Sequence, residues 1–387
     1  MKLEPWESEP LWLKLITPFL RRKRFSELPE SPRKGEWYRI YPEGCVAADG
    51  ERTYANFQLG TDNKLLVFFC GGGVSWNEHT AARPASLYNK DYAEGFYMIH
   101  VDLFSDLNRN KGIFENSERN PFRNWTKVIL IYNTGDFHAG NGDFPYTALD
   151  GSRQILHHHG YKNYRAVMNE VKKRIPEPDQ LFVSGCSGGG FGAALLSDDL
   201  VGQFPGCANI TCCVDSGFFL MENWADVAVN IWKSPKEIAR CIHSNNITLD
   251  ALTALYQKHG DRIKYLFTCS VRDASLARMV NYFKKNAFDF SRESGDQFQE
   301  DLRMMCRQLR EKIPTVGLYI FNKTAKDQKD MDLTTHCIIG EKDVYEIIID
   351  SKSAAQWMLD AINGNVEQLG LSLLKESRTG RKKHEIK

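Results

Sequence analysis

No uninterrupted apolar run in the 387-residue chain approaches the ~18 residues that a membrane-spanning helix needs, so none is expected. Charge of one sign is missing as well. Lys and Arg total 50 against 49 Asp and Glu, a net +1, so no global field recruits nucleic acid or an anionic membrane. The ten cysteines fall into no C-x-x-C pair, and Cys70, Cys212, Cys213 and Cys269 sit inside apolar, strand-like runs. They are expected to be mostly reduced thiols in a cytosolic protein, packing as small hydrophobes. The start of the chain, "MKLEPWESEPLWLKLITPFLRRKRF", places its basic cluster after the apolar stretch, the reverse of a secretory signal, and the expectation is cytoplasmic. Internal repeats, low-complexity segments, G-K-[ST] and a strand-linked G-x-G-x-x-G are all absent. The last two absences exclude the common phosphate loops.

What is present is an alternation. Apolar, β-favouring runs occur at 64–70, 95–103, 127–133, 180–185, 210–216, 264–270 and 315–321, and helical patterns at 163–175, 191–200, 287–312 and 353–364 fall among them. Runs that are apolar throughout suit strands covered on both faces, and this order predicts an α/β-hydrolase-like, doubly wound, mostly parallel sheet. Residues 31–375 are expected to form that single α/β domain, with a helical insertion at about 220–262 acting as a cap. Residues 1–30 read as an N-terminal helical extension and 376–387 as a charged tail. In the extension, Trp6, Leu11, Trp12, Leu15, Ile16, Phe19 and Leu20 precede "RRKR". Two readings stay open there: an interfacial helix in peripheral contact with a membrane, or a helix docked on its own domain.

"GCSGG" at 185–189 satisfies G-x-S-x-G, with an apolar strand before it and a helix-compatible stretch after. That context is a nucleophile elbow, and Ser187 is its nucleophile. A serine needs a base, and in the order Ser, Asp, His the base lies beyond 187, among His243, His259, His336 and His384. His336 follows a strand through a polar loop and is favoured. Asp273, past the second strand after the elbow, is the favoured acid; Asp215, ending the first, is its rival. Oxyanion donors are expected from Gly188 and from the Gly71–Gly73 loop that ends the first long strand.

These residues resemble the pectin acetylesterases, a family that includes the Notum carboxylesterases. The resemblance is carried by "FFCGGGVSWN" (68–77), "YNTGDFHAG" (132–140), "HHHGYKNYRAVM" (157–168), "GCSGGGFGA" (185–193), "VDSGF" (214–218), "SVRDAS" (270–275) and "THCII" (335–339). It implies Ser187 as nucleophile, Asp273 as acid, His336 as base, and Gly72, Gly73 and Gly188 as oxyanion donors. It also implies cofactor-free hydrolysis of an O-acyl ester. The family's cysteines near the glycine loop are replaced here by Ser75. Trp76, Asp136, His138 and Asp215 are expected to bind substrate, although Asp136 and His138 would equally serve to order the loop 133–145. A D-x-H pair is too little for a metal site, so none is expected.

The expected function is removal of an O-acyl group, acetyl by preference, from a carbohydrate or small molecule. Trp76, Phe137, Phe191 and Phe218 are expected to crowd the acyl site and favour short chains. An acyltransferase would use the same triad, and a catalytically silent binding protein would keep the fold; both stay open.

Overall fold

The computed structural model describes residues 26–85, 95–99 and 109–375. Residues 1–25 of the expected 1–30 extension and the tail over 376–387 lie outside the described residues. The chain lays down β1 (Trp37–Ile40), β2 (Ala55–Gln58), β3 (Lys64–Phe69), β4 (Pro84–Ala85), β5 (Tyr97–Met98), β6 (Thr126–Leu130), β7 (Gly142–Thr147) and β8 (Arg153–His158). There follow β9 (Gln180–Cys186), β10 (Asn209–Asp215), β11 (Ile263–Ser270), β12 (Gly317–Phe321), β13 (Ile348–Ile349), β14 (Lys352–Ser353) and β15 (Gln368–Leu369). Nine of them form one sheet in the order β1-β2-β6-β3-β9-β10-β11-β12-β15. From β6 to β15 every neighbouring pair is parallel, while β2 runs antiparallel to both β1 and β6. The fold is therefore of the α/β-hydrolase kind, a mostly parallel sheet with helices packed on it.

The central strands are long on Leu, Val, Ile, Phe and Cys because both faces are covered. Leu65, Leu66, Val67, Phe182, Val183, Cys212, Cys213 and Leu266 are all within 1% of full burial. Burying each such aliphatic or aromatic side chain contributes about 1.5–3 kcal/mol. The sheet order positions the site. From β3 the chain crosses to β6 on one side and then returns to place β9 on the other, so the carboxyl ends of β3 and β9 open onto a crevice. In register, Phe69 lies beside Gly185. The glycine loop after β3 thus emerges next to the elbow after β9.

One expected strand is corrected. Of the expected run 95–103, residues 95–99 are described, and among them Tyr97–Met98 pairs with Pro84–Ala85 in a separate two-stranded sheet. It is held instead by the glycine loop, with Met98 N–H donating to Gly72 O and Val74 N–H to Phe96 O. The segment 220–262 contains the helices Trp224–Asp226, Lys236–Ala239 and Ile247–His259 and a π turn at Val227–Ile231.

Candidate active site

β9 runs into a helix at Gly188–Gln203, and Ser187 is the residue between them, at φ 54° and ψ −126°. A non-glycine residue at that conformation carries about 1–3 kcal/mol of strain and persists only where its surroundings hold it. Here they do. Ser187 N–H donates to Asp215 O at 2.8 Å, and Gly190 N–H returns to Ser187 O at 2.9 Å. The glycines answer a space requirement. A Cβ on Gly189 would stand 1.9 Å from Phe69 O, and one on Gly185 would stand 2.1 Å from Gly189 O. Strand and helix can cross this closely only without side chains at those two positions.

The residues expected as acid and base lie in the segments that follow β11 and β12. Asp273 caps the helix Ala274–Lys285, its Oδ1 accepting from Ser275 N–H at 3.0 Å and Leu276 N–H at 3.1 Å. His336 Nδ1 lies 2.7 Å from Asp273 Oδ2 and 2.9 Å from Oδ1. Asp273 is fully buried, whereas the His336 side chain keeps 22% of its exposure. Burial opposes charge on the imidazole, but the Asp273 carboxylate beside it prevails and holds the His336 pKa above the usual 6.5.

The loop that carries His336 is clamped on three sides. Thr334 N–H donates to Arg272 O at 3.0 Å, and Ala274 N–H donates to Thr334 O at 2.9 Å. The Ser270 hydroxyl donates to Thr335 O at 2.6 Å. Beyond the histidine, Ile338 N–H at 2.8 Å and Ile339 N–H at 2.9 Å both donate to Asp215 Oδ2.

Ser187 and His336 line one cavity of about 350 Å³, together with Gly71, Gly72, Gly73 and Gly188. A Cβ on Gly188 would stand 3.0 Å from Gly73 O, so the glycine loop and the elbow face each other at contact distance. Tyr132 ties the two surrounding loops together, its hydroxyl donating to Gly73 O at 2.8 Å and accepting from Phe137 N–H at 3.0 Å. Gly188 also begins a 16-residue helix, whose amino end presents partial positive charge to the cavity. Such an arrangement can stabilise an oxyanion formed at a carbonyl that Ser187 attacks.

Four residues expected against substrate are not among those lining the cavity. Trp76 stands behind it, edge-on to Phe96, which does line it. Asp136 is fully buried and orders its own loop, accepting from Thr134 Oγ1 at 2.7 Å, His138 N–H at 3.0 Å and Gly160 N–H at 2.8 Å. Burial pushes its carboxyl up to about 6. His138 Nε2 donates to Cys70 O at 2.9 Å between Phe69 and Tyr132, and burial pulls its imidazole down to about 4. Asp215 anchors the elbow through its backbone and the histidine loop through its carboxylate, whereas the His336 imidazole is hydrogen-bonded to Asp273. The insertion over 220–262 supplies none of the lining residues either.

The walls come from elsewhere. Phe137, Phe191, Phe219, Met98, Leu276, Met279, Phe288 and Phe290 make the lining mainly apolar, and Cys186 and Cys337 flank the serine and the histidine. Phe137 stacks on Phe191 at 4.2 Å between centroids. Most of these were missed in the sequence because they reach the cavity from loops and helix ends, where no periodic pattern marks them.

A family model described as pectinacetylesterase matches residues 43–260. That span includes the glycine loop and Ser187 and stops before Asp273 and His336. Pectin acetylesterase 11 of Arabidopsis thaliana is 26% identical over 190 residues, 46% of this chain and 44% of that protein. Pectin acetylesterase 7 of the same plant gives 26% over 190 residues, with the same coverage, and pectin acetylesterase 4 gives 24% over 192 residues, covering 48% and 44%. The chain thus spans about half the length of the curated relatives it matches.

Proposed function

The chain belongs to the pectinacetylesterase family, and from that premise we propose that it hydrolyses O-acyl esters of a carbohydrate or a small molecule, acetyl esters among them, with Ser187, His336 and Asp273 as its triad. The observation that carries this reading is the Asp273 carboxylate on His336 Nδ1, with His336 and the strained Ser187 lining the same cavity. Ser187 Oγ attacks the ester carbonyl as His336 Nε2 takes its proton. Asp273 holds the imidazole in the tautomer that leaves Nε2 free and stabilises the imidazolium that forms. Backbone N–H groups of Gly72, Gly73 and Gly188 receive the oxyanion. His336 then protonates the leaving alcohol, and water, activated in the same way, releases the acid from the acyl-enzyme.

The relatives' names supply acetyl as the acyl group and pectin as the polymer. A second reading concerns acyl length and rests on the cavity. Its roughly 350 Å³ and its Phe, Met and Leu walls offer more apolar room than an acetyl group fills. Of the aromatics expected to crowd the acyl group, Phe137 and Phe191 line the cavity while Trp76 and Phe218 do not. Longer acyl chains therefore have space.

The test is product analysis. Wild-type protein should release acetate from an aryl acetate and from an acetylated oligosaccharide, and an added alcohol should not divert the acyl group. Full diversion to the alcohol would instead identify an acyltransferase. Absence of turnover on all esters, with the fold intact, would leave only a binding protein.

A further inference from the structure

One cluster of side chains outside the cavity has no part in the chemistry above. β7 and β8 pair antiparallel with Asp143 opposite His157. Just past β8 the chain tightens, His159 N–H donating to His157 O at 2.9 Å, and the two imidazoles come within 5.3 Å between centroids. Both rings point at one oxygen. His157 Nδ1 and His159 Nε2 each lie 2.8 Å from Asp143 Oδ1. The ligand atoms of the three residues all fall within 4.8 Å of one another.

We propose that Asp143, His157 and His159 form a binding site for one divalent transition-metal ion of the zinc type, which staples the β7–β8 hairpin to the start of the helix at Gly160. Two imidazole nitrogens with one carboxylate oxygen are the donors such ions prefer, whereas magnesium and calcium favour oxygen alone. Ligand atoms around a tetrahedral ion stand about 3.3 Å apart, so the 2.8 Å contacts have to open by about 0.5 Å. Asp143 can supply that movement, because its side chain is 54% exposed while His159 is 14% exposed and fixed. On binding, each neutral ring keeps its proton on the nitrogen away from the ion, and water takes the remaining position.

Lys162 is the competitor. Its Nζ lies 3.4 Å from His159 Nε2, but the side chain is exposed and its flexible stem allows it to swing out. The ion would fix the hairpin where Asp136 Oδ2 already receives Gly160 N–H at 2.8 Å, so its effect falls on stability rather than on the ester chemistry.

The experiment is a cobalt(II) titration of the metal-stripped, full-length protein, followed by visible absorption and by thermal denaturation. One equivalent should bind with the ligand-field bands of nitrogen and oxygen donors, raise the melting temperature, and be displaced by zinc. His157→Ala and His159→Ala should each weaken binding by at least about tenfold, with an unchanged circular dichroism spectrum. A thiolate-to-cobalt charge-transfer band, affinity unchanged in both variants, or no binding at millimolar cobalt would each overturn the site.

Discussion

Replacing Asp273 by Asn separates the acid from its rival, and the hydrogen bonds set the size of the effect. Asp273 Oδ1 receives two backbone N–H groups, from Ser275 and Leu276, while Oδ2 faces only His336 Nδ1. In the variant the amide oxygen stays with the two N–H groups, so the NH₂ is turned toward the histidine. Nδ1 must then accept, its proton moves to Nε2, and the base can no longer take a proton from Ser187. Rotating the amide to restore the productive tautomer leaves two buried N–H groups without an acceptor, at about 1–3 kcal/mol each. A penalty of about 2–6 kcal/mol lowers kcat by about 30-fold to about 10⁴-fold, the upper figure being what other triads lose on this change. Asp215→Asn behaves differently. Its amide oxygen can keep Ile338 and Ile339 N–H, while the NH₂ meets the Ser216 hydroxyl, which can accept. Activity should fall by less than about tenfold. The assay is aryl acetate turnover, with circular dichroism as the check on folding. A crippled Asp215→Asn beside a nearly normal Asp273→Asn would refute the reasoning.

The raised pKa of His336 predicts the direction of the pH profile. The base works only when neutral, so kcat/KM should fall as pH drops through a midpoint above 6.5, and a rate flat down to about pH 5 would contradict it. Gly189→Ala places a Cβ 1.9 Å from Phe69 O, and urea unfolding should show a loss of at least about 1–3 kcal/mol; a variant as stable as wild type would mean that strand and helix are not so closely apposed. For acyl length, an acetyl and a butyryl ester of one alcohol should have kcat/KM values within about tenfold of each other. A fall of more than about 100-fold at butyryl would show that the apolar cavity does not hold the acyl group.

The buried parallel strands could be read from the chain because they are covered on both faces and so consist of unbroken apolar runs. "KLLVFF", "QLFVSGC" and "IKYLFTCS" are of this kind. β1 and β2 could not. They carry Arg39, Asn56 and Gln58, buried polar residues that break the apolar pattern, and Gln58 is matched only by a residue far along the chain, Lys127, whose Nζ donates to Gln58 Oε1 at 2.8 Å. The β7–β8 hairpin did leave a sign, Asp150-Gly151 between its strands, and that dipeptide is a recognised hairpin turn. In the site, chain order singled out Ser187, Asp273 and His336: Ser187 follows β9 directly, Asp273 lies shortly after β11, and His336 lies in the long loop after β12. Asp136 and His138 carry chemically suggestive side chains, but burial decided their place, and burial of a loop residue depends on what packs over it. Phe288 and Met279 failed for the opposite reason: they look like ordinary packing residues, and only the fold of the chain after β11 brings them to the cavity.

Ser187 as the attacking group can be tested directly by treating the protein with a fluorophosphonate and locating the adduct by peptide mass spectrometry. The account predicts one adduct on Ser187, loss of esterase activity in proportion to labelling, and no adduct in Ser187→Ala. An adduct on the neighbouring Cys186, or full hydrolysis by Ser187→Ala, would contradict it.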